Sequence, residues 1–234
     1  MSAIVNEPKS SLRDLIPARW HIHLMLWITI LIIGFPLIYA IIVATQSNAE
    51  TLSFQFTFGT RFWENLNGVI VTRGLLGFMY NSIVLALVVT FGKTVLSLLA
   101  GLAFVYFRIP FKGFIFGFVL LTLLMPTEML IIALFRFVSS LGWGDTFAAI
   151  SIPFMASATG AFLFRQHFAN LPAELSEAAQ LDGANPLQFL FRILLPISWN
   201  VIGALAVIQF VYMWNQFVWP FLIINSNDLQ VVQV

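Results

Sequence analysis

The chain contains 234 residues, of which 60% are hydrophobic and 9% are charged, and its mean hydropathy is +0.94. A chain this apolar cannot cover a soluble globular surface, so the composition indicates a membrane protein. The net charge of +1 without any basic run argues against nucleic acid as a partner, and the lack of cysteine excludes disulfides and thiolate metal sites.

Five apolar stretches predict five membrane-spanning helices and therefore an all-α polytopic fold. Each stretch is long enough to supply the roughly 20 apolar residues that cross a bilayer core. The stretches are continuously apolar, whereas half-buried strands would alternate. The predicted spans cover residues 24–45, 81–105, 113–135, 146–167 and 198–224.

The distribution of lysine and arginine predicts that the N-terminal segment, residues 1–23, is cytoplasmic. With that orientation the cytoplasmic segments carry more basic residues than the outer ones, as the positive-inside rule requires. The segment between the fourth and fifth spans, residues 170–197, is then cytoplasmic as well. The predicted cytoplasmic basic residues are Lys9, Arg13, Arg19, Arg108, Lys112, Arg165 and Arg192, and the predicted outer ones are Arg61, Arg73 and Arg136.

The segment 170–197 is a polar island between two apolar stretches, and its residues predict two short helices. Acidic residues lie near the start of the first helix, where the helix dipole favours them. Gly183 is typical of the left-handed residue that ends a helix, and the pair Asn185-Pro186 is typical of the start of the next one. An amphipathic surface connector and a docking site for a cytoplasmic partner both fit this pattern.

One face of the first short helix is predicted to carry small side chains. Leu175, Ala178, Ala179 and Asp182 recur at positions i, i+3, i+4 and i+7, so they are predicted to lie together. Small residues on that face would allow the backbone of another element to approach closely.

Two charged residues fall inside predicted spans, where an isolated charge is costly. Lys93 lies midway along the second span, and Glu128 lies in the third span, two residues after Pro126. Both are candidates for the path of a solute, and Lys93 would suit an anionic solute that carries phosphate. The alternative is a structural role, in which the two charges pair with each other or with other groups.

Aromatic and amide side chains near the end of the fifth span are the other candidates for solute binding. Trp214 and Trp219 offer flat apolar surfaces, and Asn215 and Gln216 offer hydrogen-bonding groups, a combination that suits sugars and polyols. The alternative is helix packing, because amides join helices in membranes and tryptophans mark membrane interfaces.

The residues do not indicate an enzyme. The sequence contains one dense cluster of acidic residues, which lies in segment 170–197. No GxxxxGK[ST] motif for nucleotide phosphates occurs in the sequence. The histidines His21, His23 and His167 lack partners at metal-ligand spacing. The sequence therefore predicts no catalytic residue, metal site or cofactor in this chain.

Several motifs resemble one family of membrane proteins. The run EAAQLDGANPLQFLFRILLP (177–196) resembles the EAA loop of the membrane permease subunits of bacterial carbohydrate-type ABC importers, the maltose and glycerol-3-phosphate permease family. WNQFVWP (214–220) is similar to a pattern near the end of that family's fifth core helix. The runs LLMPTEM (123–129) and MASATGAFLFRQ (155–166) are most similar to its glycerol-3-phosphate branch. The resemblance covers about residues 24–228.

The resemblance implies a transmembrane permease subunit of an ATP-driven, binding-protein-dependent importer in the bacterial inner membrane. It implies a sugar or a sugar or polyol phosphate as the solute, with sn-glycerol-3-phosphate favoured. The implied partners are a second permease subunit, an extracytoplasmic solute-binding protein, membrane lipid and two ATP-binding cassette subunits that carry the ATP and magnesium.

The resemblance also assigns a role to segment 170–197, which in this family forms a coupling helix that docks on an ATP-hydrolysing subunit. The positions that match the motif are expected to form the docking surface, together with a glutamate on the same helix. These docking residues are Glu174, Glu177, Ala178, Ala179, Asp182 and Gly183.

The sequence departs from the family at its end, because family members generally carry another helix after the fifth, whereas this sequence ends at Val234. Either the sequence is a fragment of a longer protein or that helix is absent, and we interpret residues 229–234 as a truncated C-terminal end that follows the transmembrane domain. Two other classes remain as alternatives. An ion-coupled secondary transporter would usually show two matched halves, and a non-transporting membrane scaffold would not need the spacing of the EAA loop.

Overall fold

The computed structural model describes residues 19–234, and it describes their side chains except those of Thr127 and Glu128. All regular structure in this range is helical, which confirms the predicted all-α class. The chain divides into two units, Met1–Arg73 and Gly74–Val234, which we describe separately. The helices are α1 (Trp20–Ala44), α2 (Asn48–Leu52), α3 (Phe62–Asn67), α4 (Leu75–Tyr106), α5 (Lys112–Leu123), α6 (Thr127–Ser140), α7 (Phe147–Ser151), α8 (Ala158–Ala169), α9 (Ala173–Leu181), α10 (Pro186–Phe189), α11 (Leu195–Ile197), α12 (Trp199–Trp214) and α13 (Val218–Ile223).

The first unit contains the first predicted span, which forms the 25-residue helix α1. The polar segment after it is closed by side chains that bind backbone groups. Ser47 caps α2 in a reciprocal capping box with Glu50, and Asn65 Nδ2 donates to the carbonyl oxygens of Ala44 and Gln46 at 3.0 and 2.9 Å. These bonds fix the path of the chain as it leaves the apolar helix.

The second unit is built on α4, a 32-residue helix against which α8 and α12 pack. Two glycines permit the close contact with α8. A Cβ atom at Gly101 would lie 2.6 Å from Cβ of Phe164, and one at Gly160 would meet the side chain of Ser97. Helices in a bilayer gain little from the hydrophobic effect, so close packing at small residues supplies much of their association.

Two clusters of buried side chains lie along α4. The first, which we call the loop-end cluster, lies beside segment 170–197, and the second lies towards the opposite end of the bundle. The loop-end cluster comprises Leu98, Leu102, Phe164, Phe168, Ala179, Phe189, Leu190, Leu194 and Leu205. The opposite cluster comprises Leu85, Ala86, Val89, Val138, Ala149, Ile150, Phe154, Met213, Trp219, Ile223, Ile224 and Val231.

The third predicted span, 113–135, is wrong as one continuous helix. The structure divides it into α5 of 12 residues and α6 of 14 residues, and each is shorter than a bilayer core requires. Pro126 stands between them in an extended conformation. A proline has no N–H to donate and disfavours helical geometry in the preceding residue, so the helix ends before it.

Three helical segments of the described chain are long and apolar enough to cross a membrane, namely Trp20–Ala44, Leu75–Tyr106 and Phe147–Ala169. A fourth results if Pro186–Ile197 and Trp199–Trp214 count as one span, which is bent by 81°. The fifth predicted span thus begins with α12, as expected, but it is interrupted by an irregular turn before α13.

The C-terminal strap, residues 225–234, is fastened to the end of the bundle remote from segment 170–197. Asp145 Oδ1 accepts hydrogen bonds from the N–H of Asn225 and the N–H and hydroxyl of Ser226, at 2.9 to 3.0 Å. These donors, the Ser226 N–H first, hold the pKa of the Asp145 carboxyl below its ordinary value. Asn81 Nδ2 donates to the carbonyl oxygens of Asp228 and Gln230. The strap therefore ties the start of α4 to the turn before α7.

Candidate functional site

The first candidate site is segment 170–197, which consists of α9, a turn and the helical stretch from α10 to α11. Asn185 caps α10 and shares a capping box with Gln188, whose backbone N–H donates to Asn185 Oδ1 at 2.8 Å. Pro186 occupies the first turn, where its missing N–H costs nothing. The predicted arrangement of two short helices is confirmed.

Gly183 has the left-handed conformation that its position predicted, with φ of +70°. The N–H of Gly183 donates to Gln180 O at 3.0 Å, and the N–H of Ala184 donates to Ala179 O at 2.9 Å. This pair of bonds is a Schellman motif, which satisfies carbonyl groups that the helix end would otherwise leave unpaired. The turn between the two helices is therefore fixed by hydrogen bonds rather than loosely hinged.

One face of α9 is exposed and carries both acids of the helix. Glu174, Glu177, Ala178 and Leu181 follow the spacing i, i+3, i+4 and i+7, and all four are exposed. Leu181 is 89% exposed, which is unusual for a leucine at the end of a polar helix. Sequence reasoning missed Leu181, although the spacing from Glu174 would have identified it.

The opposite face of α9 packs inward. Ala179 is 4% exposed and belongs to the loop-end cluster, and Leu175 is half-buried. The face predicted to unite Leu175, Ala178, Ala179 and Asp182 is therefore wrong as a single surface, since the first and third residues turn inward while the other two are exposed. The small side chain of Ala179 permits close packing, as expected, but the packing is against this chain's own loop-end cluster.

The exit of segment 170–197 is a sharp bend that is tied to α8. Ser198 stands at the 81° bend before α12 and is fully buried. Its hydroxyl lies 2.9 Å from Nε2 of His167, near the end of α8. The segment is thus joined to both helices that enter and leave it.

The second candidate site is the lysine in the middle of α4. Lys93 is 7% exposed, and its Nζ lies 4.7 Å from the centroid of the Tyr212 ring on α12. Sequence reasoning missed Tyr212, because no local signal links residues so far apart along the chain. Glu128, the other charge expected on a solute path, has a side chain outside the described residues, so its pairing with Lys93 stays a prediction.

The third candidate is the aromatic and amide cluster at the interrupted end of the fifth span, and the structure disperses it. Trp219 is fully buried, and its Nε1 donates to Ala149 O at 3.0 Å. Trp214 stacks on Phe210, and Asn215 is exposed but donates to Val211 O within its own helix. Gln216 is partly buried in the turn. Trp219 thus has the contacts expected from helix packing, and it does not face an open path in this conformation.

Among the described side chains of residues 19–234, no group of three or more histidine, aspartate and glutamate residues converges. The exposed face of α9 and the buried polar groups of α4 and α12 are the described candidates for function.

The comparisons with known proteins identify the class. Residues 93–233 match the family described as "Binding-protein-dependent transport system inner membrane component". The sn-glycerol-3-phosphate transport system permease protein UgpE of Pectobacterium atrosepticum is 40% identical over 88% of this chain and 76% of its own length. The protein of the same name from Rhizobium meliloti is 39% identical over 90% of this chain and 78% of its own length.

A solved structure supports the fold. The crystal structure of a bacterial ABC transporter involved in the import of the acidic polysaccharide alginate matches with a TM-score of 0.81. The match covers 97% of this chain and 81% of that chain, at 22% sequence identity. The shared feature is therefore the arrangement of helices.

These matches place the chain in a class of multi-pass membrane permeases. The chain belongs to the family of inner membrane components of binding-protein-dependent transport systems. It is a permease subunit of an ABC importer, which confirms the class that the EAA loop indicated.

Proposed function

We propose that this chain is one of two permease subunits of an ATP-driven importer for sn-glycerol-3-phosphate. The observation that carries the choice of solute is the 38 to 40% identity, over 88 to 92% of the chain, to permeases whose names specify that solute. Phosphate makes this solute anionic, and a buried lysine at mid-span is compatible with an anion.

The orientation proposed for the bundle puts segment 170–197 on the cytoplasmic side. Residues 74–234 contain six basic residues, of which Arg108, Lys112, Arg165 and Arg192 lie at the end of the bundle that carries this segment. Such an excess is typical of the cytoplasmic side. The N-terminus is proposed to be cytoplasmic as well.

Segment 170–197 is proposed to dock on an ATP-hydrolysing subunit through the exposed face of α9. The docking residues are Glu174, Glu177, Ala178 and Asp182, and the structure adds Leu181. A leucine surrounded by acids suits a partner groove with an apolar floor and a basic rim. Ala179 and Gly183 are proposed to support the docking face. Ala179 packs into the loop-end cluster, and Gly183 supplies the left-handed turn that ends α9.

ATP and magnesium are proposed to bind the partner subunits, and this chain contributes no catalytic group. Closure of the ATP-hydrolysing subunits would move the docked segment as a rigid body, because its turn is hydrogen-bonded and its inner face belongs to a packed cluster. Alternating access then arises when the helix bundle changes between two packed arrangements. A second permease and an extracytoplasmic binding protein complete the assembly.

The test is uptake of labelled sn-glycerol-3-phosphate by the whole complex reconstituted in vesicles with its binding protein. We expect uptake that needs ATP, and we expect Glu177→Lys to abolish it. Gln180→Lys is the matched control, because Gln180 is exposed on the same helix but lies on the flank beside the groove with α4.

Three outcomes would contradict the proposal. Uptake driven by an ion gradient without ATP would indicate a secondary transporter. Absence of uptake for every phosphorylated and free polyol, in a complex that assembles, would indicate a scaffold. An equal loss from both lysine variants would show that charge anywhere on α9 disturbs assembly, and the docking face would lose its support.

A further inference from the structure

Lys93 is buried inside the bundle, well away from both ends of its helix. It is the 19th of the 32 residues of α4, so the 1.5 Å rise per residue puts it about 20 Å or more from either helix end. The residue is 7% exposed, so the ammonium group lies among other side chains rather than in water. The ammonium group therefore needs a partner at the level where it lies, and a lipid environment offers none.

The described residues around Lys93 supply dipoles but no acid. Lys93 forms no ion pair with any described side chain, and its Nζ lies over the face of the Tyr212 ring. On the facing helix, one turn before Tyr212, the side-chain amide of Gln209 is buried with neither its oxygen nor its nitrogen hydrogen-bonded. On α4 the hydroxyls of Thr90 and Thr94 are likewise buried without partners. Buried polar groups are rarely left unpaired unless water or a ligand joins them.

Tyr212 lies between the ammonium group of Lys93 and the exposed side of α12. The tyrosine is 41% exposed, so one part of it faces outward while its ring covers the ammonium group. An ammonium–ring contact is weaker than a charge-assisted hydrogen bond to a phosphate oxygen. A phosphate that displaced the ring would meet the Lys93 ammonium group, and helical spacing puts the amide of Gln209 one turn from Tyr212 and the hydroxyl of Thr90 one turn from Lys93.

We propose that Lys93 and Gln209, covered by Tyr212, form a subsite for the phosphate group of a phosphorylated polyol between α4 and α12. The proposal deepens the proposed function and rests on it. It assigns the recognition of phosphate to this chain, in addition to any selection by the binding protein. The competing explanation is a structural ion pair between Lys93 and Glu128.

The absence of cysteine from the chain permits a test that restores the charge chemically. The complex would carry Lys93→Cys, and uptake of sn-glycerol-3-phosphate and ATP hydrolysis stimulated by the binding protein would be measured together. We expect uptake to fall about tenfold or more while stimulated hydrolysis persists. Treatment with 2-aminoethyl methanethiosulfonate should restore uptake, because it attaches a primary amine that mimics lysine, and sn-glycerol-3-phosphate should slow that reaction.

The matched controls are methyl methanethiosulfonate, which modifies the cysteine without adding charge, and the wild-type complex treated with both reagents. We expect no rescue by the neutral reagent. We also expect Gln209→Leu to reduce uptake severalfold, since leucine keeps the size of glutamine but offers no donor.

The outcomes separate this inference from the proposed function. If the wild-type complex does not take up sn-glycerol-3-phosphate, the proposed function fails. If the wild type transports but Lys93→Cys is unaffected, unreactive or rescued equally by the neutral reagent, the subsite alone is wrong. Recovery of uptake in the double variant Lys93→Cys with Glu128→Gln, without any reagent, would establish the structural ion pair instead.

Discussion

At Gly183 the backbone conformation, rather than the space around it, limits which side chains segment 170–197 can carry. A Cβ atom added there would meet nothing within 4 Å, but the residue has a φ of +70°. Asparagine adopts this left-handed region fairly often, whereas a β-branched residue there is a rare outlier. Two substitutions at this position can therefore separate conformation from bulk.

We predict that Gly183→Val disrupts the turn and Gly183→Asn preserves it. Valine should cost about 1 kcal/mol or more in the turn and should uncouple ATP hydrolysis from uptake, because the direction of α10 relative to α9 changes. Asparagine should retain most of the uptake. The measurements are uptake, stimulated ATP hydrolysis and the amount of complex in the membrane. Normal uptake by the valine variant at normal membrane levels would refute the docking hypothesis.

Trp219 is predicted to stabilise the fold without contacting solute. Trp219→Phe removes the N–H that binds Ala149 O and leaves that buried carbonyl without this partner, which should destabilise the protein by about 1 to 3 kcal/mol. Thermal unfolding of the purified complex measures this cost, and uptake at a temperature where the variant is folded should be near that of the wild type. Lost uptake with unchanged unfolding temperature would restore Trp219 to the solute path.

At the scale of elements, the contact of α4 with α8 depends on the absence of a side chain at Gly101. We predict that Gly101→Ala destabilises the bundle by about 1 to 3 kcal/mol, because the new methyl group would overlap Phe164 and part of that overlap is with its backbone. The midpoint of unfolding of the purified complex in detergent measures the effect.

Gly77→Ala provides the matched control on the same helix, since a Cβ atom there would meet nothing within 4 Å. Alanine is the better helix former, so this variant should be neutral or slightly more stable. Equal destabilisation by the two alanines would show that helix propensity or membrane insertion, and not the contact between α4 and α8, controls stability.

The predictability of the elements from sequence depended on whether their signal was local. Apolar length predicted α1 and α4, and the local motifs around Gly183 and Asn185 predicted the turn and the start of α10. Pro126 is a local signal for the break between α5 and α6, but the apolar run around it is long enough to predict a single span. The turn between α12 and α13 also has a local signal, because Pro220 offers no N–H to the carbonyl of Gln216 and its ring would clash with that carbonyl in a continuous helix.

The sequence predicts which residues belong to the candidate sites better than it predicts which face of a helix each residue occupies. Helical spacing grouped Ala178 with Ala179, and the structure separates them because the loop-end cluster fixes which side of α9 turns inward. The contact of Lys93 with Tyr212 joins positions more than a hundred residues apart, and no periodicity within one helix could reveal it. Both outcomes depend on the packing of one element against another.

At the scale of the whole second unit, the strap closes the end of the bundle remote from the docking segment, and its attachment is predicted to weaken in acid. Hydrogen bonds from Ser226 and Asn225 lower the pKa of Asp145 from its ordinary value of 3.8. The folded-state pKa is therefore the lower one, so the stabilisation is complete above about pH 4 and is lost as the pH falls through the folded-state value.

Asp145→Asn tests this attachment, because asparagine keeps a carbonyl acceptor and tolerates the left-handed conformation at this position, where φ is +55°. We expect the variant to be less stable than the wild type at neutral pH and to lose less stability between pH 5 and pH 3. Unfolding temperatures across that range give the comparison, with Asp228→Asn as a control for removal of a nearby charge. The same pH profile in wild type and Asp145→Asn would contradict the assignment.

The bend at Ser198 makes the helical stretch Pro186–Ile197 and α12 the two arms of an angled lever. The arms stand at 81°, and the hydrogen bond between His167 and Ser198 ties their corner to α8. α12 has 16 residues and is about 24 Å long, so a rotation of about 10° at the corner carries its far end about 4 Å sideways. If segment 170–197 docks as proposed, we expect a displacement of Pro186–Ile197 by the ATP-hydrolysing subunit to move the far end of α12 sideways, near Tyr212 and the turn before α13.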